Sequence, residues 1–320
     1  MDVVGVGALN VDLFYEVPSL AIGGRTFEPD GEVIGDEASF SQVTAALARD
    51  AKLIGRSGGG SAANTVTALA RMGYSTGFLG VAGKDDEGKF LLRSMGGVDV
   101  SHVKRYKRSG MCISLLKGGE RSLLGLPNSN DMFSFAEDDL GFLNSSKFVH
   151  MSSFAADGAL VMQKQLVSML DDDVYMSFSP GERYARRGLR AIGPLVERSR
   201  ILFVNEREVK MLTGQGPKEG SERLLGLGPA VVACTMGERG SMITTRNVQF
   251  EVPAKRTVVV DTTGAGDVYA AGFLAGYIDG ANLETCGQIA SAAAALSVAA
   301  YGREGYPDER FLRKYAQELS

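Results

Sequence analysis

The chain has 320 residues, 44% of them hydrophobic and 22% charged, which is ordinary for a globular protein of one large domain with an appendage or two modest domains. The net charge of −4 offers no basic surface for nucleic acid, so we expect no nucleic-acid partner. No stretch approaches 18 uninterrupted apolar residues and no basic leader precedes an apolar run, so we expect neither a membrane span nor secretion.

The cysteine and histidine content limits the chemistry further. Cys112, Cys234 and Cys286 are odd in number and widely spaced in apolar or small-residue contexts. This pattern favours reduced core thiols in a cytoplasmic protein over a disulfide framework or a zinc site. With only His102 and His150, the chain has little material for a histidine-based triad or metal cluster.

Short apolar runs alternate with helical patterns along most of the chain. The runs predict buried strands over residues 3–9, 76–81, 148–151, 174–178, 201–204 and 230–234. Helical spacing predicts helices over residues 62–73, 160–170, 186–195 and 206–212, and a small-residue packing helix over 286–300. This alternation predicts a parallel sheet covered on both faces, which binds ligands beyond the carboxyl ends of its strands.

Two regions interrupt the alternation, from about residue 13 to 57 and from about 100 to 126. Strand-like runs at 14–17, 32–34, 111–116 and 121–124 accompany a helical pattern over 36–50 and a turn at Gly118 and Gly119. We therefore predict a small β-rich lid built from two excursions of the chain.

The strongest chemical signal lies between residues 258 and 267. Three valines (258–260) predict a strand that runs into the motif Asp-Thr-Thr-Gly-Ala-Gly-Asp at 261–267 and then a helix. The amides of residues 264–266, at the start of that helix, would form an anion hole suited to phosphate. A carboxylate there would repel the anion, so we interpret Asp267 as the base for a hydroxyl that attacks phosphorus. The alternative is an ordinary turn in which Asp267 caps the helix.

Two weaker signals concern an acceptor. The glycine run 58–60 opens a helix in which Asn64 is placed to bond sugar hydroxyls, or else the run is a flexible hinge. Asn10 and Asp12 follow the first predicted strand, where an aspartate accepts bonds from two vicinal hydroxyls or is simply a turn or cap residue.

Two more signals concern a nucleotide. Asn205 and Glu208 share one face at a helix start and could order water around Mg²⁺ near phosphates. Thr235 and the glycines that follow could support a nucleotide, or form a tight turn between strands. The Gly-Val-Gly at 5–7 mimics a dinucleotide fingerprint but lacks its third glycine and a following helix, which argues against an oxidoreductase.

Together these motifs resemble the PfkB family of carbohydrate kinases, which includes ribokinases and adenosine kinases. The resemblance implies one ribokinase-like α/β domain over residues 1–320, with a mainly parallel central sheet flanked by helices and a small β-sheet lid. It implies transfer of the γ-phosphoryl of ATP to a hydroxyl of a sugar or nucleoside, with Mg²⁺ and, in many members, a monovalent cation such as K⁺.

The resemblance also assigns roles to residues of this chain. The implied catalytic residues are Asp267 as base and Gly264, Ala265 and Gly266 as anion hole. Implied substrate contacts are Asn10, Asp12, Gly58, Gly59 and Asn64, and implied nucleotide contacts are Asn205, Thr235, Gly237, Gly240 and Thr263. Asn205 and Glu208 would hold Mg²⁺ through water, and Asp261 and Thr263 match two usual ligands of the monovalent cation.

Several alternatives stay open on the sequence. The acceptor could be a phosphorylated sugar, the donor could be ADP, or the chain could be a non-catalytic sensor of nucleotide or sugar. Arg56 and the basic run 104–108 could bind a substrate phosphate or could form a solvated lid face. Exposed strand edges of the lid favour a homodimer that pairs through the lids.

Overall fold

The computed structural model describes residues 1–29, 31–118 and 120–319, with side chains up to residue 315. Gly119, half of the predicted turn, lies outside the described residues. The strands are β1 (Val3–Val6), β2 (Asn10–Glu16), β3 (Ala21–Ile22), β4 (Arg25–Thr26), β5 (Glu32–Ile34), β6 (Lys52–Gly59), β7 (Thr76–Ala82), β8 (Val98–Asp99), β9 (Val103–Arg105), β10 (Gly110–Lys117), β11 (Glu120–Leu126), β12 (Phe148–Ser152), β13 (Tyr175–Ser179), β14 (Ile201–Asn205), β15 (Val231–Thr235), β16 (Ser241–Thr244) and β17 (Gln249–Val252). The helices are α1 (Glu37–Asp50), α2 (Ser61–Arg71), α3 (Asp86–Ser94), α4 (Glu137–Asn144), α5 (Asp157–Met169), α6 (Gly181–Ala185), α7 (Leu189–Arg198), α8 (Glu206–Thr213), α9 (Pro217–Leu225), α10 (Ala265–Ile278), α11 (Leu283–Ser297) and α12 (Glu309–Leu319).

The central sheet has the strand order β17-β16-β15-β14-β13-β12-β1-β7-β8, with β9 also paired to β7. Its strands are parallel except for β16 and β17 at one edge. All six predicted strands belong to it, and β1, β7 and β12 are buried along their whole length. The predicted α/β architecture is therefore confirmed.

Helices cover the central sheet on both faces. Val3 and its neighbours on one face pack against α2, α10 and α11, while Val4 and Val6 on the other pack against helices from α4 to α9. The close approach of α10 and α11 depends on small residues, because a Cβ added at Gly272 would lie 2.8 Å from the Cα of Ala290. No helix in the described ranges has the length and apolarity needed to cross a membrane.

A second, five-stranded sheet forms the predicted lid, in the order β5-β11-β10-β2-β6. Strands β10 and β11 form the predicted antiparallel hairpin, and β2 joins them as a parallel neighbour of β10. One face of this sheet packs against α1 through residues such as Leu47, Ile113 and Leu124. Helix α1 begins where predicted, because Asp36 accepts a hydrogen bond from the amide of Ser39 and caps it. The other face is turned towards the central sheet.

Four sequence predictions were wrong in detail. Residues 258–260 are not a strand: the chain from 253 to 260 has no regular structure, and the three valines are 78%, 60% and 43% exposed. β-branched residues form a strand only where a neighbouring strand pairs with them. The first strand ends at Val6 rather than Leu9, so Asn10 and Asp12 do not lie directly at its carboxyl end but within the next strand, β2 of the lid. The basic run 104–108 is not on the lid, because β9 pairs with β7 of the central sheet. The helix predicted over 186–195 is interrupted at Gly188, which has φ +75°.

Candidate active site

Asp267 lies in the first turn of α10 and faces the start of α2. Its Oδ1 accepts a hydrogen bond from Ser61 Oγ at 2.7 Å, and its Oδ2 accepts one from Asn64 Nδ2 at 2.9 Å. Thr65 Oγ1 donates to the backbone oxygen of Asp267 at 3.1 Å. The carboxylate is thus bonded to another helix rather than to its own helix start, which is against the alternative reading of Asp267 as a cap.

The surroundings of Asp267 suit a proton acceptor. Burial raises the pKa of Asp267 to about 6, although the hydrogen bonds from Ser61 and Asn64 and the charges of Arg303 and Arg121 lower it. Such a carboxyl is ionised at neutral pH yet holds a proton more readily than an exposed aspartate. A base of this kind is well matched to working near neutrality.

The start of α10 has the geometry of an anion site, with one difference from the prediction. Gly264 precedes the helix with φ +78°, a conformation that glycine adopts without strain. The amide of Ala265 donates to Thr262 O at 3.2 Å, whereas no acceptor is seen for the amides of Gly264 and Gly266 among the described residues. A Cβ added at Gly266 would meet no heavy atom within 4 Å, so open space lies before the helix. Two of the three predicted amides are therefore available to an anion.

The loop before α10 is held together by Asp261. Its Oδ1 accepts hydrogen bonds from the amide of Thr263 at 2.9 Å and from Thr263 Oγ1 at 2.7 Å. Its Oδ2 is buried and has no hydrogen-bond partner among the described residues. A buried carboxylate oxygen without a donor is costly unless a cation or ligand contacts it.

Asp12, on β2 of the lid, lies within electrostatic reach of Asp267. Burial raises the pKa of Asp12 to about 7; the charge of Arg303 lowers it, and those of Asp261 and Asp267 add to the rise. Gly59 of the glycine run leaves room for the Asp12 carboxylate, because a Cβ added at Gly59 would lie 2.0 Å from Asp12 Oδ2. Gly59 belongs to β6 and pairs with β2, so the run is not the free hinge of the alternative reading.

A cavity of about 240 Å³ lies between the lid sheet and the central sheet. Of the predicted site residues, it is lined by Asn10, Asp12, Asn64, Thr263, Gly264 and Asp267. Gly58 instead lines a neighbouring cavity of about 390 Å³ together with Arg303 and Ser94. The structure therefore brings the predicted acceptor residues and the predicted base to one space, with Gly58 behind it.

The residues predicted for the nucleotide lie at the ends of β14 and β15. Asn205 caps α8 in a reciprocal box, in which the amide of Glu208 donates to Asn205 Oδ1 at 2.8 Å and the amide of Asn205 donates to Glu208 Oε2 at 3.1 Å. Asn205 Nδ2 also donates to Glu208 Oε1 at 2.9 Å. Burial raises the pKa of Glu208 to about 7, and the charge of Asp267 contributes to the rise. Thr235 pairs with Asn205 across the two strands. Gly237 and Gly240, with φ +60° and +95°, form the tight turn that was the alternative reading of that segment.

Arg303, which is 8% exposed and lies behind Asn64, belongs to none of the motifs recognised in the sequence. Arg303 Nε donates to Asn64 Oδ1 at 3.1 Å, and its Nη1 donates to Ser94 O and Oγ at 3.2 and 3.1 Å. Its partner Asn64 is 239 positions away in the chain, so no local pattern predicts the contact.

Two further arginines connect the lid to the central part and were also missed. Arg121, on β11, donates from Nη1 to Thr263 Oγ1 at 2.7 Å, next to the start of α10. Arg183, on α6, forms an ion pair with Glu32 of β5. The lid thus contacts the rim of the cavity on two sides.

The other basic residues singled out in the sequence have different partners. Arg56 pairs with Glu87 at 3.1 Å, and its guanidinium lies 4.0 Å from the centre of the Phe90 ring. Lys104 pairs with Asp139 at 3.0 Å, and Arg108 pairs with Glu37. Neither Arg56 nor the run 104–108 lines the 240 Å³ cavity, although Arg56 lines the neighbouring cavity of about 390 Å³. Lys104 is partly buried in its ion pair, so the run is not the solvated lid face of the alternative reading.

Comparison with known proteins identifies the family. Residues 32–308 match the model described as "pfkB family carbohydrate kinase". The chain belongs to the pfkB family. This confirms the resemblance drawn from the motifs, and makes the protein a phosphotransferase that acts on a hydroxyl group, a sugar or nucleoside kinase.

Relatives within the pfkB family differ in what they are called. The chain is 34% identical over 247 residues to an uncharacterized sugar kinase of Archaeoglobus fulgidus, which covers 75% of this chain and 98% of that protein. It is 31% identical to an ATP-dependent ribose-1-phosphate kinase of Halopiger xanaduensis, over 78% of this chain and 82% of the relative. A nucleoside kinase of Methanocaldococcus jannaschii is 27% identical, over 76% of this chain and 80% of that protein.

Solved structures of two kinases share the fold. Adenosine kinase from Sinorhizobium meliloti superposes with a TM-score of 0.86 at 22% identity, over 100% of this chain and 99% of that one. The ribokinase of Arabidopsis thaliana, solved with ribose and ATP, superposes with a TM-score of 0.79 at 23% identity, over 98% of both chains. The ribokinase-like fold is therefore confirmed.

Proposed function

We propose that this protein transfers the γ-phosphoryl group of ATP to a hydroxyl of a sugar or nucleoside held in the 240 Å³ cavity. The observation that carries the proposal is the position of Asp267. Asp267 lines the cavity, and it lies in the first turn of α10 next to the amides at the helix start. A base in this place faces both an acceptor hydroxyl and the anion that the helix start attracts.

In the proposed step, the acceptor oxygen forms a bond to the γ-phosphorus of ATP. The bond from that phosphorus to the β,γ-bridging oxygen breaks, ADP leaves with the electron pair, and the hydroxyl proton moves to Asp267. The amides of Gly264 and Gly266 stabilise the charge that develops on the transferred group. Asn10, Asp12 and Asn64 orient the acceptor through its other hydroxyls.

The proposed nucleotide site extends from the start of α10 towards β14 and β15. Asn205 ends β14 and Glu208 lies in the first turn of α8, where the two side chains would hold Mg²⁺ through water and beside the phosphates. When bound, Mg²⁺ neutralises phosphate charge. The partnerless Oδ2 of Asp261 fits a monovalent cation such as K⁺ beside the anion site.

Replacing Asp267 by Asn tests the role of the base. Because a positioned base contributes roughly 10²–10⁴-fold, kcat should fall by that factor while ATP still raises the melting temperature. Turnover within a fewfold of the parent would sink the assignment. Asp86→Asn, which removes an exposed carboxylate from the first turn of α3, is the matched control and should retain most of kcat.

Two alternatives are separated by simple assays. A panel of acceptors crossed with ATP, GTP and ADP, read by mass spectrometry, shows whether the donor is ADP or the acceptor a phosphorylated sugar. Ligand binding without any phosphorylated product would favour the sensor. The position of Asp267 in the first turn of α10, where the amides of Gly264 and Gly266 are available, supports an enzyme.

Two properties predicted from the sequence remain proposals. A cytoplasmic location is supported by the free state of Cys112, Cys234 and Cys286. A homodimer through the lid is supported by β5 and β6 as its two edge strands, with Val33 and Leu53 exposed by 38% and 51%. Light scattering on the eluted protein tests the dimer, and a clean monomer would reject it.

A further inference from the structure

The wall that the lid sheet contributes to the cavity is polar at one end and apolar at the other. The strand register aligns Asp12 of β2 with Cys112 of β10, Gly125 of β11 and Ile34 of β5. All four line the cavity. Three strand spacings separate the ends of this row, about 14 Å, whereas a sugar ring is only about 7 Å across from its C–C bonds. A bare sugar that bonds Asp12 leaves the far half of the row uncovered.

The far half of the row is flat and poor in hydrogen-bonding groups. Gly125 has no side chain, and a Cβ added there would lie 2.9 Å from Ile34 Cδ1. Burial raises the pKa of the Cys112 thiol well above its ordinary value, so this group is neutral. A sugar hydroxyl pressed onto this strip would lose water without gaining a partner, at about 1–3 kcal/mol each. A planar, largely apolar ring would not.

The next row of the same face holds a polar atom without a partner. Ser114 is 1% exposed, lies between Phe14 and Leu123 across the strands and lines the cavity. Its Oγ has no hydrogen-bond partner among the described residues. A heteroatom on the edge of a planar ring would give this hydroxyl a partner.

The charges around the cavity disfavour an acceptor that carries its own phosphate. Asp12, Glu32, Glu182 and Asp267 all contribute to the wall. Arg183 also lines it, but its guanidinium is paired with Glu32. The nearby Arg121 and Arg303 are bonded to Thr263 and to Asn64 and Ser94, and neither lines the cavity. A phosphate group on the acceptor would therefore have to break the Arg183–Glu32 pair in the presence of the other carboxylates.

We infer that the acceptor is an uncharged nucleoside. Its sugar hydroxyls lie at Asn10 and Asp12, one of them facing Asp267. The nucleobase lies on the strip formed by Cys112 and Gly125, and a heteroatom on its edge forms a hydrogen bond with Ser114. This inference rests on the proposed function and selects one acceptor class within it.

An acceptor comparison tests the inference directly. Purine and pyrimidine nucleosides, ribose, fructose and ribose 1-phosphate are each incubated with the protein and MgATP. We expect kcat/KM for at least one nucleoside to exceed that for any free sugar or sugar phosphate by 100-fold or more, about 2.7 kcal/mol. Preference for a sugar or sugar phosphate would overturn the inference and leave the proposed function intact. No product from any acceptor would overturn both.

Two variants test the proposed position of the nucleobase. Gly125→Leu fills the strip and should raise the nucleoside KM at least tenfold, while the protection by MgATP in thermal melts is unchanged. Ser114→Ala removes one hydrogen bond to the nucleobase and should raise the nucleoside KM roughly five- to tenfold. The control is Gly141→Leu on α4, where an added Cβ meets no heavy atom within 4 Å. It should change neither the nucleoside KM nor the protection by MgATP. If Gly125→Leu does not fold, Ser114→Ala decides, and an unchanged KM in the decisive variant contradicts the inference.

Discussion

Arg303 fixes the orientation of Asn64. Its Nε donates to Asn64 Oδ1 at 3.1 Å, which leaves Asn64 Nδ2 to donate to Asp267 Oδ2 at 2.9 Å. An asparagine amide that is not held in this way can turn its oxygen towards the carboxylate instead. Arg303 is therefore a positioning residue for the proposed base, which it does not touch.

The first prediction concerns this relay. Arg303→Lys keeps the positive charge but loses the planar guanidinium, so Asn64 is released and Asp267 loses a donor that lowers its pKa. We expect the midpoint of the kcat–pH profile to move to higher pH and kcat near pH 6 to fall roughly tenfold. Ser94→Ala removes only an acceptor of Arg303 Nη1 and should leave the midpoint in place. Equal midpoints in the parent and Arg303→Lys would refute the relay.

The second prediction concerns the open space before α10. Gly266→Ala should stabilise the helix by roughly 0.5–1 kcal/mol, because alanine loses less backbone freedom than glycine. The added methyl group enters the space that we assign to the transferred phosphoryl, so kcat should nevertheless fall at least tenfold. Chemical denaturation and steady-state rates check the two effects, with Gly141→Ala as a helix glycine that should change stability alone. A Gly266→Ala variant with full activity would remove the phosphoryl from this position.

The third prediction concerns the dependence of stability on pH. The pKa of Asp267 is about 6 in the folded protein and near 3.8 when unfolded, so the folded state binds more protons between these values. The contribution of this group is fully present below pH 4 and is lost as pH rises through 6. Asp267→Asn stays neutral, so its melting temperature should equal that of the parent near pH 4 and exceed it at pH 8.

The control for this experiment is a carboxylate with the opposite behaviour. Asp86 is exposed, and the hydrogen bond from Lys89 lowers its pKa. Asp86→Asn should show no gain in melting temperature at pH 8. A parallel gain in both variants would mean that net charge, rather than burial of Asp267, governs the effect.

The fourth prediction separates the two arginines at the lid. Arg121 contacts Thr263 beside the proposed phosphoryl site, whereas Arg183 contacts Glu32 of the lid edge. Arg121→Met should lower kcat by 10²-fold or more, since it removes both a lid contact and a cation from the place where phosphate charge develops. Arg183→Met should open the lid with a much smaller loss of kcat. Hydrogen exchange over β10 and β11 reports the opening, and equal kcat losses would reduce Arg121 to a lid contact.

The parts of the fold that the sequence predicted share one physical cause. Strands such as β1 and β7 are buried on both faces, so they are contiguous apolar runs that are visible without any partner. The valines at 258–260 show the same composition, but no strand in the described part of the chain pairs with them, and the amide of Val260 donates instead to Val298 O at 2.7 Å. Composition thus reports the tendency to form a strand, and the neighbouring chain decides whether one forms.

The site was predictable only where its residues lie in short motifs. Asp267 and Asn64 each follow a glycine-rich helix start, and the structure places them in contact. Arg303 and Ser114 carry no such context, since the role of each is defined by a neighbour on another element. Asn205 and Glu208 show a further limit, because the same spacing that suits a phosphate-bound ion also forms a helix-capping box.

The arrangement of the lid has a consequence for folding. Parallel strands β2 and β10 lie side by side, and Asp12 pairs with Cys112, one hundred positions later. Such a pairing closes a long loop, and long-range pairings of this kind form slowly. We expect a refolding chain to build its helices, whose hydrogen bonds are local, first and to complete the wall of the acceptor cavity last. A protein of this design acquires its secondary structure well before its affinity for a substrate.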